Sequence, residues 1–300
     1  MVTQAQRPGT QEREGETGVR TVLVPIALSS RAAAVAVEGH RWATLLGART
    51  VIVHVGTESS ARPRIQAILD ENGLADAELV VCRGRPGAAV VEVAREQKAD
   101  LIVAGALEKE GALTYFFGSV ARQMARQAPC SVLLLKEPRV ESRPPMRWVV
   151  STACDEAGLG MLAFLSKLAR RAEPARIDVV TEYCVSGADW ALEGDLDMRT
   201  ADARRSGFQR EEQGRLADFL AESALEGMNV RAVCLRGRVG HASAEYAREH
   251  GADVLFAMAP SHLGFWDRFI QHGVEFALES LPCALWLYRP RTTDPEAHGP

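Results

Sequence analysis

The chain has 300 residues, of which 47% are hydrophobic and 25% are charged, and its formal net charge is −4. These values predict a soluble globular protein with room for two domains of ordinary size. The small net charge gives no reason to expect binding to nucleic acid or to an anionic membrane through bulk electrostatics. No apolar run reaches the roughly 18 residues that a membrane span needs, so no span is expected.

Short apolar runs alternate with helix-spaced segments through the first half. The amino-terminal segment 1–20 is polar, which predicts a disordered tail without a signal peptide. The alternation that follows predicts a mainly parallel sheet of five strands with helices on both faces. The predicted strands and helices are, in chain order, 22–26, helix 32–46, 51–55, helix 63–72, 78–82, helix 88–97, 101–104, helix 118–127 and 131–135.

The second half of the sequence repeats the first. Residues 84–100 and 237–253 are identical at more than half of their positions, at an offset of 153. Pro129-Cys130 matches Pro282-Cys283 at the same offset. The first two strands of each half match at a smaller offset of 126, so we predict 27 extra residues in the second half.

These offsets predict an internal duplication of one α/β unit. The insertion falls within 184–214, and its charged stretch 199–215 is predicted to extend a helix. It follows the second strand, and it would serve as a lid, as a partner-specific element or as a plain surface loop. The predicted divisions are domain 1 over 21–136, a proline-containing linker over 137–145, domain 2 over 146–290 and a polar tail over 291–300.

One block of the first half resembles the carboxy-terminal half of universal stress protein domains. The residues that carry the resemblance are Asp100–Gly105, Gly111, Gly118–Ala121 and Ala128–Leu133. The resemblance covers roughly residues 20–136 and, more weakly, 146–289. It implies an adenine-nucleotide α-hydrolase-like fold with strand order 3-2-1-4-5. It also implies that two units pair through their last strands, here within one chain as an intramolecular pseudo-dimer.

Nucleotide-binding members of that family carry a Gly-x2-Gly-x9-Gly-Ser/Thr pattern after the fourth strand and an aspartate after the first. Here the middle glycine is Glu108 and the aspartate is Ala27. A carboxylate beside phosphates and a lost charged hydrogen bond predict affinity weakened by roughly two to four orders of magnitude. The candidate nucleotide-binding residues are Gly105, Gly111, Gly118 and Ser119.

Two interpretations of these four residues stay open. They would form the remnant of a phosphate cradle, because glycines admit phosphates and helix N–H groups hold negative charge. Alternatively they only shape a tight strand-to-helix connection, with Ser119 as a helix cap. The second half departs further, and we expect no conventional nucleotide site there. Its matching positions are Met258, Ser261, Gln271 and His272, with Ala153 at the aspartate position and only Gly264 retained.

Histidines and cysteines give no metal-binding pattern. His262 and His272 flank the matching loop of the second half, but Asp267 is the only acid near them, so we expect polar loop residues. His54 closes the second strand, and we expect a structural role for it. The six cysteines form no CxxC pair, which predicts structural thiols in a reducing compartment and a cytoplasmic location.

Six of the chain's eighteen aromatic residues lie in two equivalent loops. Grouped aromatic residues mark either a surface for a protein partner or packing over the sheet edge and across the internal pair. The six are Tyr115, Phe116, Phe117, Phe265, Trp266 and Phe269.

No catalytic constellation emerges from the motifs. The sequence therefore predicts a non-enzymatic regulatory or interaction module of the stress response, with no required cofactor and at most weak binding of ATP or AMP in domain 1. The alternative is an adenine-nucleotide sensor that uses domain 1 alone. A nucleotide hydrolase is the weakest hypothesis, because no general base is evident.

Overall fold

A computed structural model describes residues 17–105, 107–108, 115–116, 119–141, 146–183, 198–259 and 281–290. The elements of the first half are β1 (Thr21–Pro25), α1 (Ala32–Leu46), β2 (Arg49–Val55), α2 (Glu58–Glu71), β3 (Glu78–Cys82), α3 (Pro86–Glu96), β4 (Leu101–Gly105), β5 (Leu107–Glu108), β6 (Tyr115–Phe116), α4 (Ser119–Gln127) and β7 (Ser131–Leu135). Those of the second half are β8 (Arg147–Ser151), α5 (Glu156–Ala172), β9 (Arg176–Tyr183), α6 (Met198–Ala221), β10 (Val230–Arg236), α7 (His241–Glu249), β11 (Val254–Met258) and β12 (Ala284–Tyr288).

The ten long strands form one sheet, in the order β10-β9-β8-β11-β12-β7-β4-β1-β2-β3. Every neighbouring pair is parallel except β12 and β7, which run antiparallel with Trp286 opposite Leu133. The predicted mainly parallel α/β sheet is confirmed. β5 and β6 form a separate antiparallel ribbon that the sequence did not predict.

Helix α2 begins earlier than the sequence predicted. We expected the helix to start at Pro63, yet it starts at Glu58, after an extended Thr57, and Pro63 lies inside it. The Glu58 carboxylate forms an ion pair with Arg62 across this first part of the helix. Pro63 is the sixth residue of α2 and lacks the N–H that would bond to the Ser59 carbonyl, so the helix continues through it with one hydrogen bond fewer while Ala61, Ile65 and Leu69 are buried.

Strand pairing corrects the spacing of the repeat. Thr21 pairs with Arg49 in the first half, whereas Arg147 pairs with Arg176 in the second, so the second half has one extra residue between these strands. Val51 then pairs with Glu78, and Asp178 with Arg231, which leaves 26 rather than 27 extra residues between β9 and β10. The sequence did not reveal this one-residue difference in spacing, because both offsets align apolar residues with apolar residues.

The sheet is covered on both faces. One apolar core lies under α1, α2, α5 and α6, and the other under α3, α4 and α7. Central strand residues such as Val22, Leu23 and Val24 are fully buried, as expected for parallel strands with helices on each side. Where α1 meets the sheet edge, Gly47 takes a left-handed conformation (φ +70°) and its N–H donates to the Thr44 carbonyl, which ends the helix.

Trp286 in β12 joins the cores of the two halves. Its ring is fully buried and lies 5.4 Å from the ring centroid of Trp42 in α1, 5.5 Å from that of Phe164 and 5.5 Å from that of Phe256. Arg171 of the second half also donates to the Leu46 carbonyl of the first at 2.9 Å. The halves therefore share apolar and polar contacts as well as backbone pairing.

Among the described residues, no helix is both long and apolar enough to cross a bilayer. Five of the six cysteines lie in the described ranges, and all five are free thiols. Cys184, the part of the predicted insertion over 184–197 and the tail 291–300 lie outside those ranges.

Replacing Trp286 by alanine should lower the free energy of unfolding by about 3–5 kcal/mol, because the change leaves a cavity where the two halves meet. Urea unfolding followed by circular dichroism measures the change. Phe208, which is 43% exposed on α6, supplies the control, and its replacement by alanine should cost less than about 1 kcal/mol. Equal losses in the two variants would contradict the assigned role of Trp286.

Candidate functional site

The first half has a cavity at the topological switch point of its sheet, where strands are added on opposite sides of β1. β1 lies between β2 and β4, and both pairings are parallel, so the loops after β1 and β4 diverge at their carboxyl ends. Such a crevice is where open α/β sheets place their ligands. The cavity has a volume of about 330 Å³.

The lining of this cavity is mainly apolar. It includes the ends of β1, β2 and β4, the start of α1 and the near sides of α3 and α4. Among its described residues the ionisable side chains are Arg31 and His54, and none is a carboxylate. The cavity suits a ligand with a flat apolar group that contacts the apolar lining and a neutral or anionic group near Arg31.

His54 holds two walls of the cavity together. Its Nδ1 lies 2.9 Å from the Ile26 carbonyl oxygen. A carbonyl only accepts, so Nδ1 carries the proton and the ring links β2 to the residue that follows β1. This contact supports the structural role predicted for His54.

Gly105 also lies in the lining, and packing alone explains its lack of a side chain. A Cβ at this position would lie 2.9 Å from Cγ2 of Val35 on α1. The glycine thus lets α1 approach the end of β4. This contact favours the architectural interpretation of Gly105, although Gly105 also lines the cavity.

The other candidate nucleotide-binding residues are placed less fully. Ser119 is the first residue of α4, beside the cavity wall formed by Val120 and Ala121, and its side chain is outside the described set. Gly111 and Gly118 lie outside the described residues. The aromatic candidates are placed only as backbone at Tyr115 and Phe116, while Phe117, Phe265, Trp266 and Phe269 lie outside.

Comparison with known families matches the part of the chain that supplies the α3, β4 and α4 side of this cavity. The model of the universal stress protein family matches residues 56–136, from the end of β2 to the end of β7. Through this segment the chain is similar to the universal stress protein family.

A curated relative and two solved structures extend the comparison. A universal stress protein of Methanocaldococcus jannaschii is 43% identical over 58 residues, which are 19% of this chain and 34% of that protein. The chain thus spans about a third of the length of that relative. A functionally unknown protein of Pseudomonas aeruginosa is 16% identical, covers 92% of this chain over 94% of its own length and has a TM-score of 0.64. A universal stress protein of Archaeoglobus fulgidus is 13% identical, covers 94% of this chain over its full length and has a TM-score of 0.61. The two structures show a common fold across both halves.

In the second half, a carboxylate lies where the first half has its cavity. Glu182 near the end of β9 accepts hydrogen bonds from the backbone N–H groups of Gly240 and Ser243, each at 2.6 Å. These N–H groups belong to the start of α7. A negative charge there is stabilised by unpaired N–H groups and the helix dipole.

The pairing registers identify the equivalent residue in the first half. Glu182 lies six residues after Arg176, as Val55 lies six residues after Arg49, and Arg176 and Arg49 hold matching positions. Val55 lines the first cavity. The second half has therefore replaced an apolar wall by an acid that binds its own helix.

Burial governs the ionisation of this acid. Burial raises the pKa of Glu182 above its ordinary value of 4.5, and the N–H groups of Gly240 and Ser243 offset part of that rise. The carboxylate is thus partly removed from water, and its hydrogen bonds to the helix compensate for only part of the lost hydration.

Within the described residues, no group of three histidines, cysteines or acids is arranged to hold a metal ion. The two histidines considered from sequence, His262 and His272, lie outside that part of the chain.

Sequence reasoning missed Arg31 and Glu182. Arg31 occupies no position of the family motif. No local pattern marks Glu182 as a helix cap, because the Gly-Arg-Val-Gly helix start that it contacts lies in another part of the sequence. The contact itself needed the fold, because 58 residues separate Glu182 from Gly240.

Replacing Glu182 by glutamine should flatten the dependence of stability on pH. The pKa of Glu182 is raised in the folded protein, so its contribution is complete below pH 4.5 and is lost as pH rises through the folded pKa. The wild type should therefore lose stability over this interval relative to the variant. Urea midpoints from pH 4 to about pH 8 measure the difference, with the exposed Glu222→Gln as control. Parallel profiles for wild type and Glu182→Gln would rule out the assignment.

Proposed function

We propose that the chain is a tandem universal stress protein whose two units pair edge to edge through β7 and β12. It acts in the stress response as a non-catalytic regulatory or interaction module, and its nucleotide sites are degenerate. The family match over residues 56–136 and the common strand order of the two halves support the tandem form.

The proposal rests on the different side chains that the two halves place at equivalent sites. The first has Ala27 in its lining, where nucleotide-binding relatives are expected to have aspartate. The second has the Glu182 carboxylate on the amides of α7. A nucleotide phosphate would meet like charge in the second site, and an adenosine would lose a charged hydrogen bond in the first.

A regulatory role also agrees with the chemistry of the first cavity. Its described lining offers no carboxylate to act as a general base, and His54 is held by its Nδ1–H bond to the Ile26 carbonyl with Nε2 beside Gly56. Binding without turnover is the activity that such a lining supports.

Calorimetric titration of the full chain with ATP, AMP and cyclic AMP tests the degenerate sites. We expect no binding below the micromolar range, because the weakened contacts amount to roughly two to four orders of magnitude in affinity. Sub-micromolar binding of any of the three to the wild type would overturn the proposal.

A second candidate function is an adenine-nucleotide sensor that uses the first half alone. The cavity at the reversal point of the sheet, with Arg31 in its lining, favours this candidate. Ala27 is then the residue that limits affinity.

Replacing Ala27 by aspartate should strengthen ATP or AMP binding by about 10-fold to 150-fold, the effect of one charged hydrogen bond. Calorimetry on the variant measures the gain. Ala153→Asp is the matched control in the second half, where Glu182 already occupies the helix amides and no gain is expected. An unchanged affinity for Ala27→Asp would exclude the first cavity as a nucleotide site, and a gain in Ala153→Asp would contradict the assignment of Glu182.

A further inference from the structure

A second cavity, here called the arginine cavity, lies in the second half at the opposite end of the sheet from Glu182. It has a volume of about 620 Å³ and is formed where β8 and β9 begin and where α7 ends. Arg147, Arg176 and Arg248 belong to its lining. The cavity of the first half and Glu182 lie at the carboxyl ends of their strands, so the arginine cavity is separate from both.

Two of the three arginines are direct neighbours in the sheet. Arg147 and Arg176 are the first residues of β8 and β9 and are paired in the parallel register, so their side chains emerge side by side on one face. This is the face that α7 covers, because Tyr246 of α7 contacts Asp178, two residues after Arg176. Like charges at paired positions repel, and an anion bound between them would relieve the repulsion.

A buried carboxylate holds Arg176 in one orientation. Asp178 is 4% exposed and accepts hydrogen bonds from Arg176 Nε at 2.6 Å and Nη2 at 2.7 Å. The Tyr246 hydroxyl also donates to Asp178, at 3.1 Å. Because the guanidinium is planar, this two-point contact also fixes its third nitrogen, Nη1, on the side away from Asp178.

The first half shows that the fold does not need this polar network. The strand registers place Val51 at the position of Asp178, and the repeat places Val93 at that of Tyr246. Burying an ion pair costs hydration that apolar side chains do not lose, and apolar replacements are often neutral or stabilising. The second half therefore carries a costly contact whose effect is to hold Arg176 rigid at the cavity.

The same comparison shows how the charges around this arginine differ between the halves. In the first half its counterpart, Arg49, forms an ion pair of 2.7 Å with Glu78. The second half has Arg231 at the position of Glu78 and Arg147 at that of Thr21. Two cations thus stand where the first half has an acid and a hydroxyl.

The end of α7 contributes a histidine and no unpaired carbonyl to these contacts. Arg147 Nη1 donates to the His250 carbonyl at 3.3 Å. His250 Nδ1 lies 2.9 Å from the Tyr246 carbonyl oxygen, so Nδ1 carries the proton, and the His250 ring stacks on Tyr246 with centroids 3.9 Å apart. Both carbonyls belong to the negative end of the helix, and these bonds offset their repulsion of an anion.

The acids near the cavity leave one arginine unneutralised. Apart from the carboxylate that holds Arg176, the described lining contains only Glu249 as an acid. Arg248 forms an ion pair with Glu245 on the outer surface of α7. Within the described part of the chain, Arg147 forms no ion pair, and its side chain donates to a carbonyl alone. Arg147 is therefore the cation that is available to an added anion.

We propose that the arginine cavity binds the phosphate group of a small molecule, with Arg147 and Arg176 as its main contacts and His250 beside them. Guanidinium groups offer paired N–H donors that match phosphate oxygens. The volume of the cavity leaves room for an organic part beyond the phosphate. The site uses residues of the second half alone, so it does not rest on the proposed function.

Calorimetric titration of the full chain with inorganic phosphate at constant ionic strength tests the site. We expect saturable binding to the wild type. Arg147→Thr installs the residue of the first half, so the fold should tolerate it, and phosphate affinity should fall at least about tenfold with the loss of one charged hydrogen bond. Arg176→Lys keeps the charge beside Asp178 but loses the planar fork, and a similar loss of affinity is expected.

Two further variants serve as controls. Arg170→Ala removes an exposed arginine of α5, on the other face of the sheet, and should leave phosphate affinity unchanged. Arg31→Ala removes the arginine of the first cavity and should also leave it unchanged. Circular dichroism of each variant shows whether the fold is kept.

Three results would overturn the proposal. One is the absence of saturable phosphate binding by the folded wild type. Another is a loss of binding in Arg31→Ala without a loss in Arg147→Thr, which would assign the phosphate to the first cavity. The third is acetate binding as tight as phosphate binding, because a carboxylate site would then be present instead. Failure of nucleotide binding in the first cavity would change none of these outcomes.

Discussion

The antiparallel pairing of β7 with β12 is the constraint on which the rest of the structure depends. A five-stranded parallel sheet leaves its last strand with unpaired N–H and C=O groups, and each half covers that edge with the other. The pairing also brings Trp286 beside Trp42 and Phe164, so the cores of the two halves become continuous on that face. One backbone contact therefore stabilises the edges and the core together, and it fixes the two sites on one sheet.

Within this common frame the two halves differ in what they place at the carboxyl ends of their strands. The first half keeps an apolar cavity with Arg31 and His54. The second places Glu182 on the amides of α7. The two halves supply equivalent positions, and the side chains at those positions decide whether a cavity or an internal carboxylate occupies them.

Local pattern was enough for much of the fold. Apolar runs and helical spacing predicted α1 over 32–46 and strands over 78–82 and 131–135 with the bounds that the structure has, because both signals are properties of the local sequence. Pro63 misled the start of α2, since the helix continues through this proline and buries Ala61, Ile65 and Leu69. For the candidate site, the sequence found Gly105 and Ala27, which lie at or just after the ends of apolar strands, and missed Arg31.

The sequence by itself determined the repeat, the order of strands and helices and the departures from the nucleotide motif, since these follow from residue type and spacing along the chain. Only the tertiary structure decided the one-residue slip before β9, because register depends on which face each side chain buries. It alone showed how the buried Asp178 is satisfied, by Arg176 Nε at 2.6 Å and the Tyr246 hydroxyl at 3.1 Å. Contacts of Glu182 likewise join segments far apart in the chain, and no local pattern encodes such distances.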